Sequence, residues 1–251
     1  MGTERVYGIH TVRALLARTP QRVLRVYLQQ GRADRRASEI EAQARVAQRP
    51  LERVEIGRLR AWVGEAAHQG VVAEIEPLPA ASEQQFFAQL AAVANPLVLA
   101  LDGVQDPHNL GACLRTADAC GVLAVLVPRD RSATLNATAR KVAAGAAETT
   151  PVIPVTNLAR TLKLIKDAGL WIVGTDALAT QQAAEVDLTG GRCLVMGSEG
   201  SGLRELTRRS CDWLVRLPNF GYVESLNVSV ATGMLLYEAL RQRQPPDLAK
   251  P

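Results

Sequence analysis

Residues Asp102 to Asp118 read D-G-V-Q-D-P-H-N-L-G-A-C-L-R-T-A-D, and this stretch decides the fold. The apolar run from Pro96 to Leu101 just before it has the length and composition of a buried strand. Gly103 and the pair Asp106-Pro107 then break the pattern, as loop residues do. From Asn109 the spacing predicts a helix over 109–120, with Asn109 as its N-cap. Strand, polar loop and helix N-terminus in that order form the ligand-binding edge of an α/β sheet. Arg115 follows Asn109 by six residues, nearly two turns, so the two side chains are expected on one helix face. Taken alone, the stretch is equally compatible with a plain cap and a surface ion pair.

The same alternation continues on the C-terminal side. Strands are expected at 97–102, 122–127, 151–155, 170–174, 192–197 and 213–217, and helices at 134–145, 158–168, 203–210 and 226–243. The strands are nearly continuous apolar runs, the mark of a parallel sheet covered on both faces. Toward the N-terminus the pattern is shorter. A helix is expected within 5–18, a strand at 22–29, a basic turn from Gly31 to Arg36, and a helix at 37–48. A short element starts near Val54, and V-V-A-E-I forms a last strand ending by Glu76. The P-L-P-A-A-S stretch at 77–82 shifts the composition and opens a linker assigned to 77–90, whose end is helical (82–94). The reading is thus a small α/β domain at 1–76, the linker, and a larger α/β domain at 91–251, frayed beyond Arg243. Trp62 and His68 have no evident polar partner and are assigned to core packing.

Charge separates the two domains. Residues 1–76 carry 13 Arg and no Lys against 9 acidic side chains, whereas 77–251 carry 16 of each sign. Arginine suits bidentate phosphate contact and base stacking, so the small domain is expected to capture nucleic acid and the neutral one to do chemistry. The four cysteines are scattered with no C-x-x-C pair, which suggests reduced thiols and neither a zinc site nor a disulfide framework. No apolar run reaches membrane-spanning length and no signal-peptide pattern opens the chain, so a cytoplasmic protein is expected.

Three loops follow strand ends in the larger domain: 102–109, then Gly197 to Leu203 (G-S-E-G-S-G-L), then Leu217 to Asn227 (L-P-N-F-G-Y-V-E-S-L-N). The second has three glycines in seven residues, which lets backbone N–H groups approach a ligand. It lacks the G-K-[ST] of a phosphate loop and the dinucleotide G-x-G-x-x-G. Glu199 inside it would repel phosphate and suits an arginine or a ligand amine. Ser225 is placed to cap the last helix. His108 is a tempting base but falls in a turn and is assigned a supporting role.

Asp106-Pro107-His108-Asn109-Leu110-Gly111 with Arg115, then Gly197-Ser198-Glu199-Gly200 with Gly202, then Pro218, Gly221 and Ser225-Leu226-Asn227 resemble the three motifs of the SpoU family of RNA 2'-O-ribose methyltransferases, in the SPOUT superfamily. The resemblance runs on through 130–158 and into R-V-Y-G-I-H near the start. It implies a mostly parallel sheet carrying a deep trefoil knot, preceded by a ribosomal-protein-like RNA-binding domain. It also implies S-adenosylmethionine as cofactor, no metal, and a homodimer with active sites at the subunit interface. The catalytic set carried over is Asn109, Arg115, Glu199, Ser225 and Asn227. The cofactor set is Gly174, Thr175, Met196, Gly197, Gly200, Leu217, Ser225 and Leu226. The members it most resembles methylate a guanosine in the P loop of large-subunit (23S) ribosomal RNA. Asn219 stands where the family often has Met, a departure that bears on the shape of the cofactor loop.

The family implies Arg115 as general base, with Glu199 holding it and Asn109 orienting it or the ribose. An arginine with pKa above about 12 normally stays charged. Holding a phosphate and stabilising the alkoxide is therefore an equal reading. A related enzyme acting on transfer RNA, a catalytically silent ribosome-assembly factor, and a nucleotide-dependent metabolic enzyme are the competing functions.

Overall fold

Gly8 decides how the chain starts. Its φ of +97° is a backbone state that side-chain-bearing residues rarely adopt. It separates a strand, β1 (Glu4–Tyr7), from a helix, α1 (Ile9–Arg18), where helical spacing alone predicts no strand. The computed structural model describes residues 3–64, 68–77, 81–223 and 225–243; the tail expected to fray beyond Arg243 lies outside them. After α1 come β2 (Val23–Gln29), α2 (Arg35–Val46), β3 (Leu51–Val54), α3 (Ile56–Val63) and β4 (Val71–Ile75). The strands form a sheet in the order β1-β4-β2-β3, with only β2 and β3 parallel.

Side-chain alternation along β2 gives this sheet two buried faces. Val26 and Leu28 pack with Val12, Leu15 and Ile40 of α1 and α2. Tyr27 points the other way, into a smaller cluster with Leu59 of α3. Trp62 stacks on Tyr27 with ring centres 4.5 Å apart, and the guanidiniums of Arg5 and Arg58 lie over its ring. His68 is buried, and its Nδ1 accepts the Gly70 N–H at 3.0 Å.

The helix α4 (Glu83–Ala92) starts with a capping box between Ser82 and Gln85. It buries Phe86 and Leu90 against the larger sheet. Residues 83–90, read from sequence as linker, are therefore core-forming.

The larger domain holds β5 (Leu97–Asp102), α5 (Pro107–Ala119), β6 (Ala124–Pro128), α6 (Ala137–Val142), β7 (Val152–Val155), α7 (Leu158–Asp167), β8 (Trp171–Thr175), β9 (Gln181–Gln182), β10 (Arg192–Gly197), α8 (Glu205–Ser210), β11 (Trp213–Arg216) and α9 (Val228–Arg243). Its seven strands run in the order β7-β6-β5-β10-β8-β11-β9, every pair parallel. Helix α6 is shorter than its spacing predicts, because Ala144 and Gly145 turn to positive φ and end it. Leu99 and Leu101 face α5 and α9, while Val98 and Ala100 face α4 and α7. The strand β10 sits between β5 and β8, neither of them its neighbour in sequence. Such reversals of strand order open the crevices where α/β sheets bind ligands.

The two domains meet at a buried charge cluster. Glu148 accepts the Nη1 groups of Arg22 from the small domain at 2.8 Å and of Arg140 from the larger one at 2.5 Å. Arg22 also donates through Nε and Nη2 to the Glu76 carbonyl. Among the described residues no helix is long and apolar enough to cross a membrane.

Candidate active site

The carboxyl ends of β5, β10, β8 and β11 lie side by side, and three loops rise from that edge. The first ends at α5, which begins earlier than expected. Asp106 is its cap, accepting the His108 N–H at 2.9 Å, and Pro107 takes the first helical position, where no N–H is needed. Asn109 is consequently inside the helix, its amide free for a longer reach. The His108 side chain is exposed and has no hydrogen-bond partner among the described residues.

The second loop leaves β10 at Gly197, where a Cβ would run into the backbone of Gly202 and Leu203. Ser198 and Gly202 bond each other in both directions at 3.1 and 3.0 Å, with positive φ at Gly200 and Gly202. The turn presents Glu199 at its tip. Its far end is anchored by Asp102, a residue that pattern reading missed. The Asp102 side chain is fully buried; it accepts the Arg204 N–H at 2.9 Å, and the guanidinium lies 3.4 Å from its other oxygen. An acid as the last residue of an apolar strand was the available signal.

Glu199 Oε1 collects three donors: Asn109 Nδ2 at 3.1 Å, Asn227 Nδ2 at 2.6 Å and the Val228 N–H at 3.2 Å. Asn227 Nδ2 also reaches Asn109 Oδ1 at 3.1 Å. Its own Oδ1 accepts the Ser229 N–H at 2.9 Å and so caps α9, the role expected of Ser225. The carboxylate thus sits at the N-terminus of α9, where helix dipole and charge agree. One residue from each loop meets in a single hydrogen-bonded triangle.

Arg115 and Ser225 stand apart from it. Both are exposed, and among the described residues neither has a hydrogen-bond or ion-pair partner. The expected Glu199–Arg115 pair is not formed. The reason is angular: at about 100° per residue, six residues leave two side chains about 120° apart on a helix, not on one face. Asn109 faces Glu199, and Arg115 faces outward. Helix α5 is itself fixed by its neighbours. Cys113 donates to Thr232 of α9 at 3.4 Å, and a Cβ on Gly111 would lie 2.5 Å from the Ala139 carbonyl of α6. Burial pushes the Cys113 thiol up to about 11, so it is packing, not a nucleophile.

The positions expected to hold a cofactor gather at the ends of adjacent strands. Gly174 and Thr175 end β8, Met196 and Gly197 end β10, and Leu217 follows β11. Gly200, Ser225 and Leu226 lie on the two neighbouring loops. Gly174 has no room for a Cβ, which would meet Cys211 Sγ at 2.5 Å. Met196 is buried, so only its backbone can serve a ligand. Thr175 Oγ1 donates to the Val195 carbonyl at 3.3 Å. Leu217 and Leu226 are half-buried. None of these eight positions is basic, so none of them would pair with a phosphate. Asn219, the departure in the third motif, closes its own turn by donating to the Val223 carbonyl at 2.6 Å and accepting the Gly221 N–H at 3.2 Å.

The profile of the SpoU rRNA Methylase family matches residues 96–237. That of RNA 2'-O ribose methyltransferase substrate binding matches residues 5–81. The chain is 54% identical over 243 residues to the 23S rRNA (guanosine-2'-O-)-methyltransferase RlmB of Pseudomonas aeruginosa, covering 96% of this chain and 98% of that one. Among solved structures, one described as an RNA 2'-O ribose methyltransferase is 26% identical with a TM-score of 0.78, covering 96% of this chain and 88% of the other. The A. aeolicus TrmH/SpoU tRNA modifying enzyme is 31% identical with a TM-score of 0.54, covering 64% of this chain and 83% of its own.

Proposed function

The chain belongs to the SpoU rRNA methylase family, and from that premise we propose that it transfers a methyl group from S-adenosylmethionine to the ribose 2'-hydroxyl of a guanosine in 23S ribosomal RNA. We assign the target to the P loop of that RNA. The observation that carries the reading is the triangle of Asn109, Glu199 and Asn227, which ties all three motif loops together at the sheet's carboxyl edge.

Gly174, Thr175, Met196, Gly197, Gly200, Leu217, Ser225 and Leu226 would hold the cofactor by backbone groups and apolar sides. S-adenosylmethionine supplies a methyl group already activated by its sulfonium. The protein's own work is then to orient the 2'-hydroxyl and accommodate the proton it loses. Arg115, exposed on α5 and turned away from the triangle, is assigned the orienting part, and the proton passes to water. Its planar guanidinium can grip the adjoining phosphate and stabilise the developing alkoxide without giving up its own proton. The amides of Asn109 and Asn227 are already committed to Glu199 and to each other. They serve as the frame that sets the N-termini of α5 and α9.

Two further parts of the reading rest on exposed surface and charge. Val230, Met234 and Tyr237 form an apolar stripe along α9, with Tyr237 65% exposed. A second copy covering that stripe would give a homodimer in which Arg115 lies near the partner. The arginine-rich residues 1–76 would hold the RNA. The transfer-RNA enzyme above corresponds to only 64% of this chain, which favours a ribosomal target for a chain with the additional domain. On this reading the protein works in the cytoplasm beside its RNA.

The test is methyl transfer from labelled S-adenosylmethionine to unmodified 23S ribosomal RNA, with transfer RNA in parallel. The product is mapped by resistance of its backbone to alkali. Label on one ribosomal guanosine ribose is expected. Label on transfer RNA alone would overturn the substrate while keeping the chemistry. No label on either, together with no cofactor binding, would favour the silent assembly factor.

A further inference from the structure

The small domain contains a cavity that the chemistry above does not use. It has a volume of about 660 Å³ and lies between the end of β2, the helix α3 and the turn before β4. That volume is within the range of about 300–1,000 Å³ typical of small-ligand sites. Gln29 and Gln30 form one wall, Ile56 and Arg60 another, and Arg32 and His68 line it as well. Among the described residues the lining carries no carboxylate. The wall is built rather than incidental. Arg32 is held by Asp34 and by the Gln69 carbonyl, and Gln29 N–H donates to the Gly70 carbonyl at 2.9 Å. Gln69 and Gly70 both have positive φ, and a Cβ on Gly70 would lie 2.6 Å from Arg32 Nη1.

Each wall has a distinct chemical use. The imidazole of His68 accepts the Gly70 N–H through Nδ1, which leaves Nε2–H as its donor. Burial, with Arg60 adding to it, lowers the His68 pKa and keeps the ring neutral in this role. Two side-chain amides offer paired donors and acceptors of the kind that read a base edge. Ile56, 39% exposed, offers an apolar face to the plane of a base. Arg60 is exposed and makes no ion pair among the described residues, so its charge is available to a phosphate. A concave site with amides, an apolar face and a free guanidinium fits a single splayed nucleotide, which is how proteins read RNA sequence. A duplex could not present a base edge to it.

We infer that this cavity receives one unstacked nucleotide of the RNA substrate. The inference rests on the reading that the chain binds RNA, and it locates a grip remote from the methylated ribose. Strand β2 runs from the domain seam beside Arg22 to the cavity at Gln29, so its seven residues set the two about 20 Å apart. The cavity thus lies at the far end of β2 from the seam, and none of its lining residues belongs to the three loops of the larger sheet.

The experiment uses the full chain with 23S ribosomal RNA transcripts substituted in separate preparations with 4-thiouridine or 6-thioguanosine. Irradiation is expected to give adducts on peptides spanning 29–32 and 56–60. The double variant Gln30→Ala/Arg60→Ala changes two exposed side chains, so its thermal unfolding should match the parent. Its KM for RNA should rise about tenfold, the loss of one to two polar contacts, with kcat within about twofold. Arg60→Lys should recover part of the KM. A parent enzyme that methylates the transcript, with the variant's KM unchanged and no adducts at those peptides, overturns the inference and leaves the function standing. If the transcript is not methylated at all, the function falls. The adducts, which need no turnover, then decide the cavity by themselves, and their absence overturns it.

Discussion

Glu199 offers the sharpest test of how the site is built. Three donors converge on one of its oxygens, Oε1, and none of them is Arg115. Glu199→Gln keeps an acceptor oxygen at that place and loses only the charge. Glu199→Ala removes the acceptor entirely. These bonds are solvent-accessible, so each takes the low end of the usual net value, about 0.5–1 kcal/mol. Three of them give about 2 kcal/mol for the alanine change, a loss of roughly thirtyfold if the triangle must be intact at the transition state. The glutamine change forfeits only the charge-assisted excess, about 1 kcal/mol or roughly fivefold. The assay is single-turnover methyl transfer to 23S ribosomal RNA with both substrates saturating. If Glu199 instead acted by its negative charge on Arg115, Gln and Ala would be equally damaging. Equal losses in the two variants would refute the hydrogen-bond account.

The other expectations are more compact. Arg115→Lys and Arg115→Ala should leave thermal stability within about 0.5 kcal/mol, since the side chain is exposed and makes no described contact, while activity falls by at least tenfold. Near-full activity in the lysine variant would remove any role for a planar guanidinium. Glu148→Ala should lower stability by about 3 kcal/mol in a denaturant titration, because it strands two arginines around a buried site; an unchanged midpoint would mean the domain seam is not closed in solution. Burial pushes the thiols of Cys113 and Cys211 up to about 11 and about 12, so both stay protonated at pH 8. Iodoacetamide should modify them only after denaturation, and fast labelling of either in the folded protein, followed by peptide mass, would contradict the packing described.

How much of this was legible in the sequence depended on the range of the interaction. The six longer strands of the large sheet are written in continuous apolar runs, and the helix over 82–94 in its local composition, so both could be read in place. The loop that ends in Asn109 was found, but its geometry was misjudged by a helical phase error: Asp106 rather than Asn109 caps α5, and Arg115 projects away. The strand β1 was hidden because four residues are too few to show a period, and only the positive φ of Gly8 parts it from α1. Asp102 paired with Arg204 and Glu148 paired with Arg22 and Arg140 join residues up to 126 positions apart. No spacing rule reaches that far. The three-motif resemblance pointed to Asn109, Glu199 and Asn227, yet the hydrogen bonds that join them were visible only once the loops were folded together.

The use of charge at the domain seam bears on how a distant grip could set the methylated position. A buried ion pair contributes little net stability compared with apolar residues of equal volume. Its advantage is direction. Arg22 spends two donors on the Glu76 carbonyl and one on Glu148, and Arg140 approaches the same carboxylate from the other domain. An apolar seam would tolerate sliding, whereas the Arg22–Glu148 bond, the one of these that crosses between the domains, fails when they rotate by more than hydrogen-bond geometry allows. The span from the cavity at Gln29 to the sheet edge at Gly197 is then set by the protein rather than by the RNA. A rigid span selects for RNAs in which a splayed nucleotide and an accessible ribose are held at matching separation. On the proposed function, selectivity for one folded RNA would follow from that distance, with the active site itself gripping a ribose and its adjoining phosphate.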